Sequence, residues 1–247
     1  MIKYILRSVT FLILLVPSIA MALSLILFGG SVFQRVKNSP TVQINSQQWN
    51  NYVTDRQTRL AGIYGARLAD NRFVLDHTWN FSVGFSGLYT DFRKIGGTEY
   101  PFSNSGVFDS LGYKFKVQSY ALFLDSRFIY TDYLLQPYVG LGLGAAVNNA
   151  NHYNEFTTPN SGGAAPVPNG FESHTRASFA YKADIGLRLP LINTTANAFF
   201  IGLEYGWLNL GRAQLGRMPA QTTSSHLTVK RLATQYALLT LEYSNGV

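Results

Sequence analysis

A two-residue periodicity, returning along most of the chain, limits its fold more than any other feature. Successive side chains of a β-strand point to opposite faces, so long apolar–polar alternation specifies strand and not amphipathic helix. Between Phe179 and Leu189 one face carries Phe179, Tyr181, Ala183, Ile185, Leu187 and Leu189. The other carries Ala180, Lys182, Asp184, Gly186 and Arg188. Phe199, Ile201, Leu203, Tyr205 and Trp207 then oppose Gly202, Glu204 and Gly206. In 137–149, Val139, Leu141, Leu143, Ala145 and Val147 oppose Tyr138, Gly140, Gly142, Gly144, Ala146 and Asn148. Trp79–Tyr89 alternates in the same way, and the last segment sets Ala237, Leu239, Leu241 and Tyr243 against Tyr236, Thr240 and Glu242, with Leu238 as the exception.

Three further strands carry a weaker signal. Tyr120–Tyr130 places Ala121, Phe123, Asp125 and Arg127 on the polar face. Upstream of it Tyr113, Phe115 and Val117 face Lys114 and Lys116 in what reads as the opposite phase. That predicts either a bulge near Gln118 or an upper part lying beyond the membrane. Thr58–Leu68 puts Ala61, Ile63, Gly65 and Arg67 inward, and Leu23–Phe33 completes a set of eight.

A soluble sandwich also alternates, so the character of the two faces matters. Here the apolar face is large and aromatic, while the polar face mixes both charge signs with glycine. The chain average agrees: charged residues make up 13%, aromatic residues 14%, and there are 22 glycines in 247 residues, against a usual charged content of about 25%. The connections sort into short ones (69–77, 131–136, 190–198) and long polar ones (37–57, 93–111, 150–173, 213–225), and the two kinds alternate. Transmembrane β-barrels have this organisation. The sequence therefore predicts an all-β, eight-stranded antiparallel transmembrane barrel over residues 23–247, with both termini on the short-turn side. A soluble periplasmic sandwich is the fold alternative.

The polar face then becomes a lumen. Its charged residues are Arg67, Asp125, Arg127, Lys182, Asp184, Arg188, Glu204 and Glu242. An eight-stranded barrel is only wide enough for side chains or one small ligand, and unpaired buried charges cost several kcal/mol each in typical cases. Four acids and four bases can neutralise one another, so these residues are expected to form a structural plug of ion pairs, with inward glycines leaving room for the long side chains. A narrow pore is the competing reading. Outward aromatics are expected in two girdles, Trp79, Phe128, Tyr130, Phe199 and Tyr243 at one rim and Tyr89, Phe179, Tyr205 and Trp207 at the other.

Residues 1–22 have the layout of a secretory signal: Lys3 and Arg7, an apolar run Val9–Val16, Pro17, and Ala20-Met-Ala22 as a small-x-small cleavage site. Cleavage after Ala20 and an uncleaved anchor continuing through Leu23–Phe28 are the alternatives. The absence of cysteine excludes disulfides and thiolate chemistry. The formal net charge of +7 is spread along the chain without a Lys/Arg run, which argues against nucleic acid and fits contact with anionic lipopolysaccharide.

No motif for catalysis stands out. His77, His152, His174 and His226 lack metal-ligand spacing, and Ser225-His226 or His174 with Ser178 are nucleophile–base pairs only in outline. Gly140-Leu-Gly-Leu-Gly144 is explained by inward glycines at strand period, not by a nucleotide loop. The Gly-, Ala- and Pro-rich stretch 160–168 reads as a mobile loop tip. The expectation is a protein without enzymatic activity, metal or cofactor.

Tyr113-Lys-Phe-Lys-Val117 through Phe128, Gln136–Ala146, Ala177–Tyr181 with Gly186, Gly202–Tyr205 and Trp207–Arg212 together resemble the small OmpA-like and opacity-type outer-membrane barrels. That resemblance implies a Gram-negative outer-membrane location, insertion by the barrel assembly machinery, and a structural or adhesion-like role through the external loops. Partners would then be outer-membrane lipid, lipopolysaccharide and host or cell-surface molecules, with loops 150–173 and 213–225 as the best places for contact. A narrow channel and a lipid-modifying enzyme are the alternatives. The chain departs from the family in placing Ser-Asn-Gly-Val247 after Tyr243, where such barrels end on an aromatic residue.

Overall fold

The computed structural model describes residues 23–34, 40–55, 59–74, 78–105, 109–167, 170–194, 197–219 and 221–245. The expected signal segment 1–22 lies outside them. The described residues form strands and no helix. Eight long strands make the wall: β1 (Leu23–Gln34), β4 (Arg59–Val74), β5 (Trp79–Tyr100), β6 (Leu111–Tyr130), β7 (Gln136–Thr157), β8 (His174–Asn193), β9 (Asn197–Asn209) and β12 (Ala233–Asn245). Short strands β2 (Thr41–Gln43) and β3 (Trp49–Thr54) extend the wall beside β5, and β10 (Ala213–Gln214) pairs with β11 (Thr228–Val229). Every wall strand is antiparallel to its neighbours. β1 meets β12 with Leu25 opposite Tyr243 and Val32 opposite Tyr236, which closes the ring of eight long strands.

The outer surface carries a broad apolar belt. Leu122, Leu141, Ile185 and Leu203 are 61–63% exposed, and Leu124, Leu143, Leu239 and Leu241 join them. A water-soluble protein rarely exposes a continuous apolar patch of this size, whereas lipid covers one at no cost. Aromatic pairs border the belt. Near the termini Trp79 packs edge-on against Tyr130 at 5.0 Å, and Phe199 lies 4.9 Å from Tyr243. At the far side Tyr89 lies 4.9 Å from Tyr120, and Tyr181 meets Trp207 at 5.0 Å. Such rings favour the membrane interface because they have an apolar body and a polar edge. The fold is a closed, eight-stranded antiparallel transmembrane barrel.

Above the second girdle the wall continues and its polarity inverts. In β6 the odd-numbered side chains from Tyr113 to Ile129 are all buried, with no change of phase. The bulge expected near Gln118 is absent from β6. Instead Lys114 and Lys116 point outward beyond the belt, exposed, while Tyr113, Phe115 and Val117 fill the interior. The neighbours of β6 carry the irregularities. The β5–β6 register shifts between Phe92 and Ile95, and the β6–β7 register shifts opposite Phe115. At the second shift His152 takes φ 55°, the left-handed conformation in which a bulge can add a residue. Each extra residue reverses the facing of the strand beyond it, so Ile95 and Glu99 on β5 and Tyr153 and Glu155 on β7 turn inward.

The long connections are therefore shorter than the alternation suggests. Residues up to Tyr100 and Thr157, expected as loops, are strand, and segment 37–57 contains the β2–β3 hairpin. Segment 69–77 likewise includes strand as far as Val74. The tip at 158–163 is tied down by Ser161 Oγ, which donates to the Ser110 carbonyl at 3.0 Å.

Candidate functional site: the barrel interior

All eight charged residues expected in the lumen are buried there. Their spacing follows from β7. Its inward residues Gly140 and Gly142 lie between β6 and β8, with Gly142 opposite Asp125 on one side and Lys182 on the other, and Gly140 opposite Arg127 and Asp184. A Cβ at Gly140 would overlap the Asp184 carboxylate, and one at Gly142 would overlap Asp125 and crowd Lys182. The missing side chains are what allow two charged residues to meet across the intervening strand.

The charges form a ladder along the barrel axis. Nearest the termini, Arg188 donates from Nη1 to Glu242 Oε1 at 2.8 Å and from Nε to Gln136 Oε1 at 2.9 Å, and its guanidinium stacks 4.2 Å from the Phe200 ring. In the middle Arg127 binds Glu204 and approaches Asp184 at 4.0 Å. The Tyr138 and Tyr236 hydroxyls each donate to Glu204 at 3.0 Å. Higher up, Lys182 bridges Asp125 at 3.3 Å and Asp184 at 3.8 Å, and Arg67 approaches Asp125 at 3.7 Å while donating to Ser82 Oγ at 3.2 Å. The four bases and four acids neutralise one another, as burial in low dielectric requires.

A second buried polar group was hidden from the sequence pattern. Above the ladder the interior becomes an aromatic core of Tyr52, Tyr113, Phe115, Tyr153 and Phe171, with Tyr52 edge-on to Tyr113 at 5.3 Å and Tyr153 to Phe171 at 4.8 Å. Within it Glu99 accepts hydrogen bonds from Asn50 Nδ2 at 2.7 Å and Tyr52 OH at 2.8 Å. The Tyr153 hydroxyl lies 3.0 Å from Glu99 and 2.8 Å from Glu155, and Glu155 also accepts the Val167 N–H at 2.7 Å. Burial, reinforced by the charge of Glu155, pushes the Glu99 carboxyl up to about 7. Burial likewise raises the Tyr113 hydroxyl to about 12. Glu99 and Glu155 fall in segments read as polar loops. The signal for an inward-facing core nearby was the alternation of Tyr113, Phe115 and Val117 with Lys114 and Lys116.

Among the described residues, no hydrogen bond joins Ser178 to His174 or Ser225 to His226. Ser178 Oγ donates to the Arg212 carbonyl at 3.1 Å and accepts the Arg212 N–H at 3.2 Å. His174 and His226, distant in sequence, stack with their rings 6.3 Å apart.

Closed ring, charged lumen, apolar belt and aromatic girdles define a small membrane β-barrel. No known protein-family model matches the chain, and no curated protein matches its sequence. Among solved structures, OprG from Pseudomonas aeruginosa is 12% identical with a TM-score of 0.48, covering 92% of this chain and 97% of its own. AlkL is 12% identical with a TM-score of 0.35, covering 92% of each chain. Ail of Yersinia pestis, solved with the heparin analogue sucrose octasulfate, is 12% identical with a TM-score of 0.30, covering 91% of this chain and 98% of its own.

Proposed function

We propose that this chain is a Gram-negative outer-membrane barrel, akin to the opacity-type barrels, that passes no solute and catalyses no reaction. It acts through its outer surface, as a structural element of the envelope and a contact surface for anionic glycolipid and cell-surface polyanions. The observation that carries this reading is that the interior is occupied at two levels, by the ion-pair ladder and by the aromatic core above it. Side chains at both levels of the interior argue against passage of solute, and the exposed rim is the surface offered to macromolecular partners. Exposed cations stand on this outer part: Lys114 and Lys116 on β6, with Arg217, Lys230 and Arg231 from the connection between β9 and β12. Arg231 lies 5.2 Å from the ring of girdle residue Trp207, at the outer border of the apolar belt, which supports contact with an anionic headgroup.

Two measurements on the detergent-extracted protein test this reading. In planar bilayers the protein should give no single-channel steps, and it should retain immobilised lipopolysaccharide in a salt-sensitive manner. Steady conductance that changes on substitution of Arg127 or Glu204 would replace it with a narrow channel. Altered lipid A in cells producing the protein, lost when His174 or His226 is changed, would replace it with an enzyme.

A further inference from the structure

The outer end of the barrel contains a cavity of about 400 Å³, within the usual range of small-molecule sites, about 300–1,000 Å³. Its walls come from four separate parts of the chain. Ile44 belongs to the β2–β3 hairpin, Phe102 follows β5, Val167 and Gly170 follow β7, and Met218 and Pro219 follow β10. These walls are almost entirely apolar. The polar groups reaching the cavity include Glu99, Glu155 and Asn50, all buried. Glu99 and Glu155 share the Tyr153 hydroxyl. No lysine, arginine or histidine among the described residues forms an ion pair with either carboxylate. The contrast with the lumen is direct, since every acid of the ladder there has a cationic partner.

A pair of acids beneath an apolar vault, without a protein cation, has unmet electrostatic demand. Charging both carboxylates in low dielectric is unfavourable, and Glu99, pushed up to about 7, keeps its proton part of the time at neutral pH. A ligand cation supplies the missing charge and displaces that proton, while its apolar body fills the vault. A neutral ligand of the same shape fills the vault only, and an anion is repelled. We infer that this cavity is a binding site for a small organic ammonium ion with an apolar or aromatic body, its cationic head seated against Glu99 and Glu155. The site is distinct from the rim contacts proposed above, and either can fail without the other.

Charge preference tests the inference more directly than binding itself. The full mature chain in lipid nanodiscs would be titrated with 4-fluorobenzylamine, 4-fluorobenzyl alcohol and 4-fluorobenzoate, followed by fluorine NMR with empty nanodiscs as the partition control. Wild type should bind the amine at least about tenfold more tightly than the alcohol, and the benzoate more weakly still, the scale of one charge-assisted contact. Amine affinity should fall as pH drops from about 8 to about 5, where the Glu99 carboxyl becomes protonated, with alcohol affinity unchanged. E99Q/E155Q, verified as folded by its heat-modifiable gel shift, should bind amine and alcohol alike. Because that variant alters the core, Ala164→Trp in the half-buried loop wall provides a second route, blocking the vault and abolishing amine binding with both acids intact. Equal affinities of wild type for amine and alcohol would overturn the inference, as would an amine preference surviving in E99Q/E155Q. So would undiminished amine binding by A164W.

Discussion

The barrel has two interiors, built from the same strands and opposite in character. Between the girdles the wall is apolar outside and charged inside. Above them it is polar outside and aromatic inside. Along β6 the buried set passes from Arg127 and Asp125 through Phe123 to Val117, Phe115 and Tyr113 without a change of phase. The solvent outside changes, and the residue types on both faces change with it. In the lower half lipid accepts Leu122 and Leu124 outside, so the inside can hold polar groups provided each charge is paired. In the upper half water surrounds Lys114 and Lys116, and the hydrophobic effect drives Phe115 and Val117 inward, as in any soluble protein. Closure of the ring in the lower half does not depend on an apolar core, and it gives the upper half a frame on which to build one.

This contrast predicts where substitutions should hurt. The largest effect is expected in the lower lumen. Arg127→Met leaves Glu204 buried without its cation and should cost about 3–5 kcal/mol, read as a fall in the temperature at which the folded gel band disappears. The paired change R127M/E204M should cost less than R127M alone, because no charge is stranded. If the pair and the single change cost the same, the ladder is not what holds the lower half.

Next comes the outer face. Leu124→Arg, at mid-belt, should cost about 2–4 kcal/mol by placing a cation in lipid. The same gel assay reads this loss.

Acidity separates the halves in a different way, with a smaller effect. The folded Glu99 carboxyl sits near 7 against an ordinary 4.5, so the folded state holds this proton more tightly than the unfolded state. Its stabilising contribution is complete below the unfolded value and is lost as pH rises through about 7. Amides of β5 and β7 near Glu99 and Glu155 should therefore exchange hydrogen faster at pH 8 than at pH 6, after correction for intrinsic rates. Glu99→Gln should flatten that dependence. A slope that persists in E99Q would assign it to another group.

The smallest effect is expected on the same strand as Leu124 but above the belt. Lys116→Ala should stay within about 0.5 kcal/mol, the range of an ordinary surface change. Equal responses to L124R and K116A would remove the boundary drawn at Tyr120.

Much of the lower barrel was legible because period-2 alternation depends only on strand geometry. Phe179–Leu189 and Phe199–Trp207 each contain their own facing, and once the inward set is known, equal numbers of acids and bases anticipate pairing. What could not be read was who pairs with whom. Asp125 meets both Arg67 and Lys182, partners set by shear and register around the ring. The upper barrel was harder for a specific reason. The extra residues before Ile95 and at His152 reverse the facing of β5 and β7, and beyond them the apolar side is the inside. A pattern read as lipid-facing in one half is core-facing in the other, so Glu99 and Glu155 passed as loop residues.

By itself the sequence determined that eight segments alternate, that one face is apolar enough for lipid, and that the polar face carries a neutral set of charges. These are local properties, fixed by residue order and the two-residue repeat of a strand. The tertiary structure decided the rest: the partners in the ladder, the height at which inside and outside exchange character, and the meeting of four separate chain segments over two acids. Those outcomes depend on register between strands, and register is a property of the closed ring that no single segment contains.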